Sequence, residues 1–111
     1  MSFVSAVMTP ADFFGPQQLV DRAKYLERLG YEMWIADIFG REVYVTAGYI
    51  LNNTETLKVA TGIAHIYGRD AIASAQAART LSELSGGRFI QGLGLSHPSG
   101  AALRGVEWED P

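Results

Sequence analysis

Residues 57–95, LKVATGIAHIYGRDAIASAQAARTLSELSGGRFIQGLGL, decide the fold. Leu57 to Tyr67 is an apolar run with a glycine inside it, and it reads as a strand. Asp70 stands where a helix N-cap belongs, and Ala75, Ala78, Leu81 and Leu84 follow at helical spacing. Gly86 is placed to end that helix and Gly87 to begin a turn. Phe89 to Leu95 then reads as a second strand. A strand, a helix and a strand of this kind form one unit of a parallel sheet.

Upstream, the same alternation repeats. Phe3 to Met8 reads as a first strand closed by Thr9 and Pro10. Pro16 occupies a first helical position, where its missing N–H costs nothing. Leu19, Val20, Ala23, Leu26 and Leu29 make the apolar stripe of that helix, and Gly30 caps its end. Tyr31 to Phe39 reads as the second strand. EVYVTAGYILNNT, residues 42–54, reads as a helix despite its β-branched residues, because it is long for a strand. The expected fold class is α/β: about four parallel βα units, the N-terminal half of a TIM barrel. A complete barrel needs eight strands and about 250 residues, so residues 1–111 read as one partial domain of something larger. The tail after Leu95 is too short for another unit and does not read as a strong helix.

Composition narrows the function. Nine basic and twelve acidic residues leave a formal charge of -3, without the basic clusters that nucleic acid requires. No apolar run approaches the ~20 residues of a membrane span, and no basic residue precedes the first apolar stretch as in a secretory signal. The absence of cysteine removes disulfides and thiolate metal ligands. A cytoplasmic protein with a small-molecule partner, binding neither nucleic acid nor membrane, is the expectation.

Ligands of parallel α/β folds meet the C-terminal ends of the strands. There stand Met8 and Thr9, Asp37 to Phe39, Gly62 to Tyr67, and Gly92 to Pro98. Asp37 serves either an active-site mouth or a local cap on the next turn. Gly62 marks a bulge, a ligand's approach to the backbone, or close packing of a helix. Gly92 and Gly94 lack the third glycine of a dinucleotide fingerprint, since His97 stands in its place. They still indicate that something needs room, a cofactor ring or a neighbouring side chain. His65 and His97 fall at strand ends, and either can exchange a proton near neutral pH. His65 reads as bonded to loop backbone; Pro98 fixes the direction of His97. Two histidines without a carboxylate cluster make a poor metal site, so no metal is expected. Arg69 and Asp70 open the third helix, and Tyr31, Trp34 and Phe39 read as core.

Taken together, GYEMWIADIFGRE (residues 30–42), ATGIAHIYGRD (residues 60–70), LSGGRFIQGLGLSHP (residues 84–98) and LRGVEWEDP (residues 103–111) resemble the luciferase-like monooxygenase family. The nearest likeness is to its actinobacterial branch of F420-dependent oxidoreductases, and it covers nearly the whole chain. The resemblance implies an eight-stranded TIM barrel that binds FMN or the deazaflavin coenzyme F420, with roughly as much barrel again beyond Pro111.

The likeness also implies roles. The family's third strand carries a bulge, often with a non-prolyl cis peptide, behind the flavin ring; Gly62–Ile63 is the matching bond. Asp37 matches an acid near the ring's polar edge, although Ile38 stands where many relatives place histidine. The Ser96–His97–Pro98 turn matches a loop that reaches cofactor or substrate. The expected cofactor-binding residues are therefore Asp37, Gly62, Ile63, Gly94 and Ser96, with Gly94 giving clearance for a flat ring, and His97 is the expected catalytic residue. The implied reaction is hydride transfer between reduced F420 and an organic substrate. The alternatives are an FMN-dependent monooxygenase and a non-catalytic chain whose open sheet edges are covered by another copy, as a homo-oligomer.

Overall fold

The structure, a computed structural model, describes residues 5–95, 97–105 and 107–108. Four parallel strands, β1 (Ala6–Thr9), β2 (Glu32–Ile35), β3 (Val59–Thr61) and β5 (Phe89–Ile90), lie side by side in that order. Beyond β3 and β5, a second parallel ladder joins β4 (Ala64–His65) to β6 (Leu93–Gly94). Helices α1 (Pro16–Leu29), α2 (Val43–Asn52) and α3 (Ala71–Ser85) connect successive strands. The parallel α/β expectation therefore holds.

The third and fourth expected strands are each broken in two. After Thr61 the Gly62–Ile63 peptide is cis. Across from it, the Thr61 hydroxyl donates to the Gly92 carbonyl at 2.8 Å and accepts the Gly92 N–H at 2.9 Å. That exchange takes the place of ladder bonds between the two ladders. It also explains Gly92: a Cβ there would overlap the Thr61 carbonyl oxygen. Ala64 N–H donates to Gly92 O at 2.8 Å and restarts the pairing.

Helix ends follow the residues that were legible beforehand. Pro16 begins α1, and the Gln18 side chain accepts the Gly15 N–H at 2.7 Å. Gly30 and Gly86 close α1 and α3 in the left-handed conformation, which glycine adopts without a Cβ clash. Asp70 caps α3 by accepting the Ala73 N–H at 2.8 Å. Glu42 caps α2 through the Val45 N–H. The tail differs from expectation, because Pro98–Leu103 forms a short helix, α4, whose N-cap is His97.

The core lies between the sheet and the helices. Leu19, Ala23 and Leu26 of α1 and Val43, Ala47, Ile50 and Leu51 of α2 close on Met33, Ile35, Val59 and Phe89. Burying a side chain of this size contributes roughly 1.5–3 kcal/mol. The inward stripe of α3 runs through Ser74, Ala77, Ala78, Leu81 and Ser85 rather than through Ala75 and Leu84; Leu84 is exposed, as is Leu29 of α1. The opposite sheet face carries no helix among the described residues. Met8, Trp34, Ala60 and Ile90 are register partners in turn across it, and three of the four are exposed. Trp34 thus belongs to that open face rather than to the core, and Tyr31 and Phe39 are exposed as well.

At the opposite end of the strands, two side chains tie the loops. Oε2 of Glu27 accepts the backbone N–H groups of Glu55, Thr56 and Leu57 at 2.8–2.9 Å. Arg88 donates to the carbonyls of Leu51, Thr54, Leu57 and Ser85 and to the Thr54 hydroxyl. These bonds join the loop ahead of β3 to α1 and to the start of β5.

Candidate active site

The strand ends bring Asp37, the Gly62–Ile63 peptide, His65 and Gly94 to one mouth. His65 is the register partner of Gly94. Its backbone N–H donates to Oδ2 of Asp37 at 3.0 Å. The Ile63 side chain lies against Gly94, so closely that a Cβ on Gly94 would fall inside it. Three of the residues expected at the cofactor are thus neighbours, and Gly62 is bonded to Ile35 through its N–H at 2.8 Å.

The room left by the glycines is filled by side chains of the chain itself. Ile63 occupies the space beside Gly94. At Gly62, a Cβ would come to 3.0 Å from the Met8 methyl and 3.2 Å from Cε3 of Trp34. Neither a helix nor open clearance accounts for these two positions. The consequence is an apolar surface at the mouth: Met8 and Trp34 meet at Gly62, and Ile63 beside them is 37% exposed.

Below this surface sits an ion network. The Asp37 side chain is only 2% exposed, and its Oδ2 receives Nη1 of Arg69 at 3.0 Å besides the His65 N–H. Arg69 also pairs with Oε2 of Glu42, donates to the His65 carbonyl at 3.3 Å and lies 4.7 Å over the Tyr44 ring. Burial opposes the charge on Arg69, but its bonds to Glu42 and Asp37 outweigh that, and the proton is held more tightly than usual. Tyr44 in turn accepts from Gln91, which also donates to the Ser74 carbonyl. One guanidinium therefore links the ends of β2 and β4 to α2.

His65 has a different character. Burial pushes its pKa below the ordinary value, reinforced by the cations of Arg104 and Arg69 and opposed by Asp37. Its Nδ1 is 3.9 Å from Oδ2 of Asp37 and has no hydrogen-bond partner among the described residues. The ring is neutral near pH 7, and the residue is anchored through its backbone N–H.

His97 is exposed and bonds within its own turn. Its Nδ1 accepts the Ser99 N–H at 3.3 Å and lies 2.9 Å from the Ser99 hydroxyl. This use of Nδ1 as an acceptor leaves the outer Nε2 for other contacts. No hydrogen bond among the described residues joins His97 to Asp37, Ile63 or Gly94. Ser96 lies outside the described residues. Among the described residues no group of three or more His, Asp or Glu side chains is placed to hold a metal ion.

Reading the residues alone missed Arg69, Glu42 and Tyr44. Arg69 was expected to open α3, a task that falls to Asp70 alone. The available signal was an arginine ending one strand and an acid ending its neighbour; parallel strands bring such ends together. Asp37 was legible as an acid at the mouth, but its partners were not, because they arrive from three separate elements.

The arrangement has solved counterparts. The coenzyme F420-dependent tetrahydromethanopterin reductase from Methanopyrus kandleri superposes with a TM-score of 0.84 at 24% identity, over 95% of this chain and 30% of that one. The oxygenating constituent of 3,6-diketocamphane monooxygenase from Pseudomonas putida, solved with FMN, gives 0.81 at 14% identity, over 96% of this chain and 34% of that one. At these identities the likeness establishes the fold, the partial TIM barrel expected above. In sequence, the chain is 37% identical over 91 residues to the 5,10-methylenetetrahydromethanopterin reductase of Methanolobus tindarius. That alignment takes in 80% of this chain, which spans 28% of the reductase's length. Residues 2–111 match the luciferase-like monooxygenase domain, and the chain belongs to that family.

Proposed function

We propose that this chain forms the ring-binding part of a cytoplasmic oxidoreductase that uses the deazaflavin F420 and acts on a small organic substrate. The observation that carries the reading is the meeting of Ile63, Gly94 and the Asp37 network at one strand-end mouth. The residues fit a planar ring in one respect above all. Ile63, Met8 and Trp34 form a partly exposed apolar surface, the kind that accepts an aromatic face and excludes water. The 32% identity over 84 residues to a putative coenzyme F420-dependent oxidoreductase of Mycobacterium tuberculosis, 75% of this chain and 24% of that protein, favours F420 over FMN.

When bound, reduced F420 supplies a hydride to the substrate. Ile63, packed on Gly94, together with Met8 and Trp34, which meet at Gly62, would hold the ring. Asp37, whose carboxylate is buried and already bonded, would act on the ring through its partners. It holds Arg69 and the His65 backbone in place. Protonated on both ring nitrogens, with Nδ1 donating to the Ser99 hydroxyl, His97 would give its Nε2 proton to the substrate and return to the neutral imidazole; Ser96, its neighbour in sequence, is the other polar residue assigned to the cofactor. In the second reading, the same surface holds FMN in a monooxygenase; the fold shared with the FMN-bound camphane enzyme favours it.

The open sheet face and edges support a homo-oligomer as part of this proposal. Equilibrium titration with F420 and with FMN tests the cofactor. Saturable binding that is tighter for F420 supports the first reading. Tighter FMN binding replaces it with the second, and binding of neither defeats both for this chain.

A further inference from the structure

Arg104, just after α4, holds a guanidinium that makes no hydrogen bond or ion pair among the described residues. Its neighbours at the mouth are occupied. Arg41 donates to the Ala11 carbonyl, and Arg69 is divided between Asp37 and Glu42. The nearby carboxylates are engaged too. Asp12 accepts the N–H groups of Gly40 and Arg41, and Glu42 accepts the Val45 N–H and Arg69. Among the described residues, Nη1 of Arg41 and the guanidinium of Arg69 thus have acceptors, whereas the guanidinium of Arg104 has none.

The side chain is nevertheless seated. Its guanidinium lies 5.6 Å from the centre of the Phe39 ring. It also rests on Gly68, where a Cβ would come to 2.7 Å from Nη1 and 3.1 Å from Cζ. Its Nε is buried without a partner, a costly state for a donor. Arg104, Phe39, Gly68, Arg41 and Arg69 line one cleft beside the mouth, together with Asp37 and Glu42, whose carboxylates Arg69 engages. A planar fork of donors seated over an aromatic ring suits bidentate binding of an oxyanion.

We propose that Arg104, seated on Phe39 and Gly68, binds the carboxylate or phosphate group of a small organic molecule at the rim of the mouth. This goes beyond the deazaflavin reading and does not depend on it, because the probes that test it carry no ring. The Nε–H signals of arginine in the 15N-labelled chain are followed during titration with inorganic phosphate and, separately, acetate at constant ionic strength. A saturable shift of the Arg104 signal is expected with at least one probe. Phosphate alone acting identifies a phosphate site, and acetate alone a carboxylate site. Arg104→Gln should weaken that binding by about tenfold or more, while Arg79→Gln, on the exposed outer face of α3, should leave it unchanged. An Arg104 signal that stays put or drifts without saturation with both probes overturns the proposal. So does equal affinity in a folded Arg104→Gln chain. Should that variant not fold, the wild-type signal decides.

Discussion

The side chain of Ile63 fills the space that any side chain at residue 94 would require. A Cβ on Gly94 would sit 2.8 Å from Cγ1 of Ile63, 3.2 Å from its Cβ, and inside its terminal methyl. Rotation can move the methyl and Cγ1, but the Cβ is fixed by the backbone. Gly94→Ala is expected to cost about 1–3 kcal/mol, the usual range for overpacking. Urea unfolding measures it, and Ile63→Ala in the same chain should recover part of the loss.

Asp37 and Arg69 form a buried pair whose members are each bonded elsewhere. Asp37→Ala leaves the His65 N–H without its acceptor and Arg69 with Glu42 as its one carboxylate partner among the described residues. A loss of about 3–5 kcal/mol is expected. In a double-mutant cycle with Arg69→Ala the two losses should fall short of additivity by about 1–3 kcal/mol. Additive losses would mean that the pair is not coupled.

Glu27 predicts an acid dependence at the far end of the strands. Burial works against its ionisation, but the N–H groups of Thr56, Leu57 and Glu55 outweigh burial, so its folded pKa lies below the ordinary 4.5. The stability it contributes is present above that ordinary value and is lost as pH falls through the lowered folded one. Glu27→Gln should destabilise the chain at neutral pH and flatten the stability profile below 4.5. Thermal unfolding across an acid series reads both effects.

His65 predicts a separate dependence at higher pH. Its folded pKa is below the ordinary 6.5, so on acidification the unfolded chain takes up the proton first. Stability should fall as pH drops from 6.5 towards the folded value. His65→Gln should remove the slope in that window while leaving the slope due to Glu27. An unchanged slope would place the titrating group elsewhere.

Local chemistry explains what was legible in the residues. Pro16, Gly30, Asp70 and Gly86 act within a few positions of themselves, and each does in the structure what its type predicts. The breaks in strands three and four were only hinted at by Gly62, Gly92 and Gly94, because the cause is a cross-strand exchange between Thr61 and Gly92. The inward face of α3 was misplaced by a residue or so, because its small residues allow several neighbouring stripes. Trp34 reads as core from its type, yet strand alternation turns it to the face that no helix among the described residues covers. The Asp37–Arg69–Glu42 cluster spans 32 residues in sequence between its first pair, and only the parallel register closes that distance.

The central claim is that the carboxyl ends of β2, β4 and β6 share a mouth that receives a flat redox ring. Amide and indole signals of the 15N-labelled chain, followed during titration with F420, test it most directly. The account predicts saturable shifts at Ile63, Gly94 and the Trp34 indole, with Gly30 and Thr56 at the other end of the strands unmoved. Shifts confined to Gly30 and Thr56, or no saturable shift at all, would contradict it.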